Sequence, residues 1–270
     1  MDSYLAAAIQ MNSQPDIEFN LNQAYELTTK AVNDGAEFVG YPENFSFLGD
    51  LKKRRDNVEL IAEKSYPFLQ QTAREFGIYL LGGSYPMPAG NNKNYNRSVL
   101  FGPKGEELAV YDKIHLFDVD LPSGESYKES DYVKPGKNQV AVHSSTAIGT
   151  IGLTICYDLR FPELYRKIME ENADILTVPS AFTETTGKDH WTTLLRARAI
   201  ENTAYVFAPA QTGLHGKNRK TYGHASIIDP WGKVLADAGT DTGFVVAEIS
   251  TQKISEVRTQ LPSLKHRVLQ

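Results

Sequence analysis

Residues Ile148 to Arg166 read I-G-T-I-G-L-T-I-C-Y-D-L-R-F-P-E-L-Y-R. The first half is an apolar, β-branched run of strand length. The second alternates apolar and charged residues as a helical start does, so Cys156 falls at the seam. A strand-to-helix junction lifts a side chain out of the sheet and turns the helix's free backbone N–H groups toward it, which favours a thiolate and any oxyanion formed beside it. Position alone leaves two readings open, a small buried hydrophobe or a nucleophile. Tyr157, Asp158, Arg160 and Glu163 put polar-tipped side chains close after the sulfur, which a plain core strand does not need, and this points to a site.

Outward from this seam the chain alternates strands and helices. Toward the N-terminus, Leu5 to Met11 is expected as a buried strand, Asn20 to Asn33 as a helix stopped by Gly35, and Glu37 to Tyr41 as a second strand. Pro42 ends its pairing and leaves Glu43 at a strand's carboxyl edge, where sites form in open α/β sheets. A helix over Val58 to Phe76 closed by Gly77, a strand over Ile78 to Gly83, turn chemistry over Pro86 to Asn92, and a hairpin of Asn96 to Gly102 with Glu107 to Tyr111 follow. Lys113, by its position alone, reads as a surface residue. Asp118 to Asn138 reads as a long irregular loop of the lid or binding kind, with Glu129 inside it. Beyond the cysteine, strands are expected at Asp174 to Pro179, Tyr205 to Ala210, His224 to Ile228, Lys233 to Ala236 and Phe244 to Glu248. Helices are expected over His190 to Asn202 and Ile254 to Thr259. The β-α-β-α-β scheme thus occurs twice, which implies an α/β fold of four layers, an α-β-β-α sandwich, in a single domain over residues 1–270.

Composition narrows the function classes. The chain has 270 residues, 41% apolar and 23% charged, with a net charge of −5, which is ordinary globular composition and argues against nucleic acid as a partner. The one basic block, Lys52 to Arg55, reads as a solvated helix edge or loop. A single cysteine excludes an intramolecular disulfide. No leader pattern and no run of 18 apolar residues occurs, so a cytoplasmic protein without a membrane span is expected. His115, His190 and His224 lack ligand spacing, so no metal is expected. Trp191 and Trp231 read as packing anchors.

Three motifs, Y-P-E-N-F around Glu43, Y-D-K-I-H-L-F around Lys113 and I-C-Y-D-L-R-F-P-E-L around Cys156, occur in this order, and with them the chain resembles the nitrilase superfamily of carbon-nitrogen hydrolases over Leu5 to Glu248. The resemblance implies a Glu-Lys-Cys triad. Cys156 would attack an amide carbonyl, Glu43 would carry the proton, and Lys113 with the backbone N–H of Tyr157 would hold the oxyanion on the way to a thioester. It further implies that Glu129 supports the lysine and that Phe182 and Thr183 of S-A-F-T meet the substrate. For Arg160 two readings stand: a grip on a substrate carboxylate, or pairing with Asp158 or Glu163.

F-S-F-L-G-D, S-A-F-T-x-x-T-G-x-x-H-W and Y-G-H-A-S-I-I-D-P-W-G resemble the Nit branch. That likeness implies an amidase, without a cofactor, acting on a small carboxylated amide. The expected substrate is deaminated glutathione, released as 2-oxoglutarate and cysteinylglycine. The alternative is 2-oxoglutaramate, released as 2-oxoglutarate and ammonia. The family's habit implies a homodimer. Two readings from other classes are a catalytically silent binding module of the same fold and a papain-like peptidase, which would need a histidine as base.

Overall fold

The computed structural model describes residues 3–121, 124–145, 147–217 and 219–268. Two sheets, one of nine strands and one of six, face each other with helices on their outer sides, so the four-layer α-β-β-α sandwich forms as the strand and helix order implies.

The strand Ser3–Met11 is the axis of the larger sheet. It pairs in parallel with Phe38–Gly40 and antiparallel with Gly243–Ser250, in register from Ser3 opposite Ser250 to Gln10 opposite Gly243. Its side chains alternate between two cores. Tyr4, Ala6 and Ala8 join the cluster shared with the second sheet, while Ala7, Ile9 and Met11 join the cluster beneath the helices Ile17–Asn33 and Val58–Phe76. Small residues on the inner face let the sheets approach. Phe38 stacks on Phe207 of the other sheet at 4.6 Å. A Cβ on Gly40 would meet the Phe207 ring at 2.3 Å, so any side chain there must displace the ring. On the far side of the smaller sheet, a Cβ on Gly152 would meet Ile168 at 2.3 Å, which seats the helix Pro162–Glu170 close on the strand Gly149–Leu153.

Several segments depart from expectation for identifiable reasons. Tyr85–Pro88 is a strand rather than a turn. It lies at the sheet's edge against Asn94–Phe101, where the missing N–H groups of Pro86 and Pro88 are tolerated. Tyr205 to Ala210 is not one strand. Tyr205–Ala208 belongs to the smaller sheet, Pro209 breaks the run, and Ala210–His215 pairs with Ser3–Met11 in the larger. The stretch Asp118 to Asn138 is ordered by a hairpin of Asp118–Asp120 with Ser126–Lys128 and a 3-10 turn, Glu129–Asp131, while 122 and 123 lie outside the described residues. Leu51–Asp56 is a helix, capped by Asp50, and Arg54 in the basic block is buried rather than solvated. Trp191 is buried as expected, but Trp231 is 57% exposed and so is not a buried anchor. Among the described residues no helix is long and apolar enough to cross a membrane.

Candidate active site

Glu43, Lys113 and Cys156 each follow the carboxyl end of a strand, Phe38–Gly40, Glu107–Asp112 and Gly149–Leu153 respectively, and the sandwich brings all three to one cavity of about 220 Å³. Lys113 is not on the surface. It is 1% exposed, and its Nζ donates to Glu43 Oε1 at 3.1 Å and to Glu129 Oε2 at 2.8 Å. Burying an ammonium is costly unless it is paired and hydrogen-bonded, and here two carboxylates meet that need.

Glu43 is 2% exposed and fully engaged. Its Oε1 also accepts from Asn96 Nδ2 at 2.9 Å, its Oε2 accepts from the Ala181 backbone N–H at 2.9 Å, and the Cys156 thiol lies near enough to the same carboxylate to help lower its titration. Burial alone would push the Glu43 carboxyl up. The Lys113 ammonium, the Arg219 guanidinium and these hydrogen bonds outweigh it and hold the group well below the usual carboxylate range. Burial and the neighbouring Glu43 charge push the Cys156 thiol up, with Lys113 opposing less strongly, so the sulfur rests as a neutral thiol. The thiolate favoured by a helix N-terminus is therefore not the resting state. The residues Cys156–Arg160 form a 3-10 turn, and the α-helix begins only at Pro162, in the first-turn position that suits proline.

Cys156 itself has φ 49°, a left-handed conformation that costs a non-glycine residue roughly 1–3 kcal/mol and persists only where its surroundings impose it. Its N–H donates to Pro179 O at 3.0 Å. The strongest constraint is Asp158, wholly buried, whose Oδ2 accepts from Ile155 N at 2.9 Å and Tyr111 OH at 2.8 Å while Oδ1 accepts from His115 N at 3.2 Å. Tyr111 and His115 flank Lys113, so one carboxylate ties the cysteine turn to the lysine segment. His115 Nδ1, 2.7 Å from Asp158 Oδ1, is thereby occupied, as are His190 beside Arg160 and His224 beside Asp237.

Glu129, Tyr157, Phe182 and Thr183 all line the cavity. Glu129 Oε2 accepts from Phe117 N at 2.7 Å as well as from Lys113, and Thr183 caps the helix Glu184–Asn202. Arg160 is outside the lining. Its guanidinium stacks over Phe182 at 5.1 Å and Tyr157 at 5.9 Å and meets His190 Nδ1 at 3.3 Å, rather than pairing with Asp158 or Glu163. Three contributors were not singled out by sequence: Asn96, which bridges Glu43 and Glu129, and Arg54 and Arg219, which add positive charge to the wall. Asp158 was read as a polar neighbour of the sulfur or a partner of Arg160, and instead fixes the turn. Asn94, Asn96 and Ser98 alternate as buried polar residues along one strand, a pattern that marks Asn96 as facing something polar.

Comparison with known proteins agrees with this architecture. The carbon-nitrogen hydrolase family model matches residues 5–259. The chain is 52% identical over 270 residues to a deaminated glutathione amidase of Synechocystis, covering 99% of each chain. The crystal structure of C. elegans NitFhit superposes with a TM-score of 0.93 at 35% identity, covering 99% of this chain and 66% of that longer one. Saccharomyces cerevisiae Nit3, a member of branch 10 of the nitrilase superfamily, superposes with a TM-score of 0.88 at 30% identity, covering 99% of this chain and 97% of that one. With the family model spanning nearly its whole length and such relatives beside it, this chain belongs to the carbon-nitrogen hydrolase family of the nitrilase superfamily.

Proposed function

We propose that Cys156, Glu43 and Lys113 hydrolyse a linear amide through a thioester and that the substrate is deaminated glutathione. The observation that carries the chemistry is Cys156 sharing one cavity with a buried Glu43 carboxylate whose oxygens meet donors, Lys113, Asn96 and the Ala181 N–H. Such a carboxylate is ready to accept a proton and a neutral thiol is ready to give one. As Sγ attacks the amide carbon, the proton passes to Glu43 and the carbonyl oxygen becomes an oxyanion held by Lys113 Nζ and the Tyr157 N–H. Collapse breaks the C–N bond, and Glu43 delivers its proton to the departing nitrogen. Water then gives a proton to Glu43 and attacks the thioester. The second collapse breaks the C–S bond, and the proton returns to sulfur.

Glu129 keeps the ammonium in place by sharing it with Glu43 and is itself oriented by Phe117 N. The peptidase reading would need an imidazole as base, and among the described residues no histidine lines the cavity whereas Glu43 does. The substrate assignment is supported by the name of the Synechocystis relative and the identity to it over the full chain. It is tested by supplying pure protein with deaminated glutathione and with 2-oxoglutaramate and quantifying 2-oxoglutarate. The expected kcat/KM is at least about 10-fold higher for the first, equivalent to about 1.4 kcal/mol of extra transition-state binding from the dipeptide. Comparable or faster turnover of 2-oxoglutaramate contradicts the assignment.

A further inference from the structure

The cavity holds two guanidinium groups that neither carry the proton nor hold the oxyanion in the hydrolytic steps. Arg54 is the single inward-facing residue of the basic block: Lys52, Lys53 and Arg55 are exposed, while Arg54 is 6% exposed and lines the cavity. Its Nη1 donates to Asn44 Oδ1, a neutral acceptor, at 3.0 Å. Arg219 lines the same cavity, with its guanidinium 5.8 Å from the Tyr127 ring centre and Nη2 donating to Ala181 O at 3.4 Å. Its Nε is buried with no hydrogen-bond partner among the described residues. Among those residues neither guanidinium lies within ion-pair distance of a carboxylate.

The charges along the cavity wall define what it can hold. Lys113 is shared by Glu43 and Glu129, which leaves that cluster one negative, and the two arginines turn the inner cavity one positive. Burial disfavours the charged form of Arg54 most; Glu129 and, less strongly, Glu43 oppose that, while the like charge of Arg219 adds to it. Two guanidinium groups on one cavity wall, Arg54 buried and Arg219 partly exposed with its Nε buried and without a hydrogen-bond partner, favour an anion that enters the cavity, and a carboxylate suits the planar fork of each.

We propose that Arg54 and Arg219 form a carboxylate cradle that holds one end of the substrate and selects anionic over neutral amides. This rests on the deaminated-glutathione reading, in which a carboxylate lies on each side of the scissile bond, the 2-oxo acid on the acyl part and the glycine end on the leaving part. The cradle contributes binding in ground and transition states alike, so its loss raises KM more than it lowers kcat.

The test has two readouts. The first is the rate of Cys156 alkylation by iodoacetamide in the presence of 2-oxoglutarate, which represents the acyl end, or alanylglycine, which represents the leaving end. The second is steady-state hydrolysis of deaminated glutathione. In Arg54→Gln and Arg219→Gln the protection constant for one of the two carboxylates is expected to weaken by on the order of 30-fold or more, with a matching rise in KM. Arg54→Lys, which keeps the charge but not the fork, recovers part of the loss. Which compound loses protection identifies the end that is held. Alkylation without ligand reports whether each variant keeps an intact site. Protection that is unchanged in both variants, or absent from the wild type for both compounds, overturns the cradle. If the wild type does not hydrolyse deaminated glutathione while 2-oxoglutarate protection remains arginine-dependent, the substrate assignment fails and the cradle stands.

Discussion

Replacing Glu43 with Gln is expected to lower kcat/KM by about 10³-fold or more, because it removes the proton acceptor that both half-reactions require. The amide keeps the size of the carboxylate but has one acceptor oxygen for donors that now include Lys113, Asn96 and the Ala181 N–H, so the variant also leaves buried donors unpaired at a cost of roughly 1–3 kcal/mol. A thermal melt separates the two effects: the fold survives while turnover is lost. The wild-type pH profile follows from the same charges. Activity needs the carboxylate, and Lys113 and Arg219 hold its titration below the ordinary value of 4.5 against the opposing effect of burial. The acid limb of kcat/KM therefore lies below pH 4.5. Since the thiol is raised above its ordinary 9.0, no gain in activity is expected as pH approaches that value. A profile that rises with thiolate formation between pH ~6 and ~9 contradicts proton transfer to Glu43 and favours a pre-formed thiolate.

The second large effect is at Lys113. In Lys113→Met, Glu43 and Glu129 lose the cation that both contact, and breaking a buried pair in this way costs about 3–5 kcal/mol. The sign with pH is definite. With the lysine present, Glu43 has a depressed titration, and its contribution to stability is present above the unfolded carboxylate value and lost as pH falls through the folded one. Without it, the two carboxylates repel each other and are desolvated, so the variant's deficit is largest at neutral pH and shrinks on acidification as they take up protons. Activity falls by a further factor of roughly 10² to 10³ from the lost oxyanion donor. Adding Glu129→Gln to Lys113→Met removes one of the opposed charges. It is expected to restore part of the stability and none of the activity, which distinguishes the structural role of the ammonium from its chemical one. Chemical denaturation at two pH values, with kcat/KM beside it, measures both.

Much of this fold is legible in local pattern. The helix Val58–Phe76 ends where Gly77 adopts φ 65°, as its apolar spacing and the glycine stop imply. Glu43 and Cys156 stand where strand runs end in polar residues. What local pattern does not carry is contact between distant segments. Lys113 reads as a surface residue because a lysine is seldom buried and its partners are 70 and 16 residues away, while the adjacent Asp112 pairs with Arg97. Arg54 is hidden in a block whose other members are exposed, and only the capped turn Leu51–Asp56 aims it inward. Asp158 looks like a partner for Arg160, yet the 3-10 turn points its carboxylate back to Ile155 N and across to Tyr111. Pro209 marks the strand break plainly, but that the chain there changes sheets is a property of the whole sandwich.

The central claim is covalent: an acyl group passes through the sulfur of Cys156. Acid-quenching the wild-type protein during turnover of deaminated glutathione and measuring the mass of the peptide that carries Cys156 tests it most directly. The expected result is a 4-oxoglutaryl thioester on that cysteine which forms with substrate and disappears as the substrate is exhausted. Unmodified Cys156 throughout turnover, together with 2-oxoglutarate production that continues in Cys156→Ala, would contradict the account.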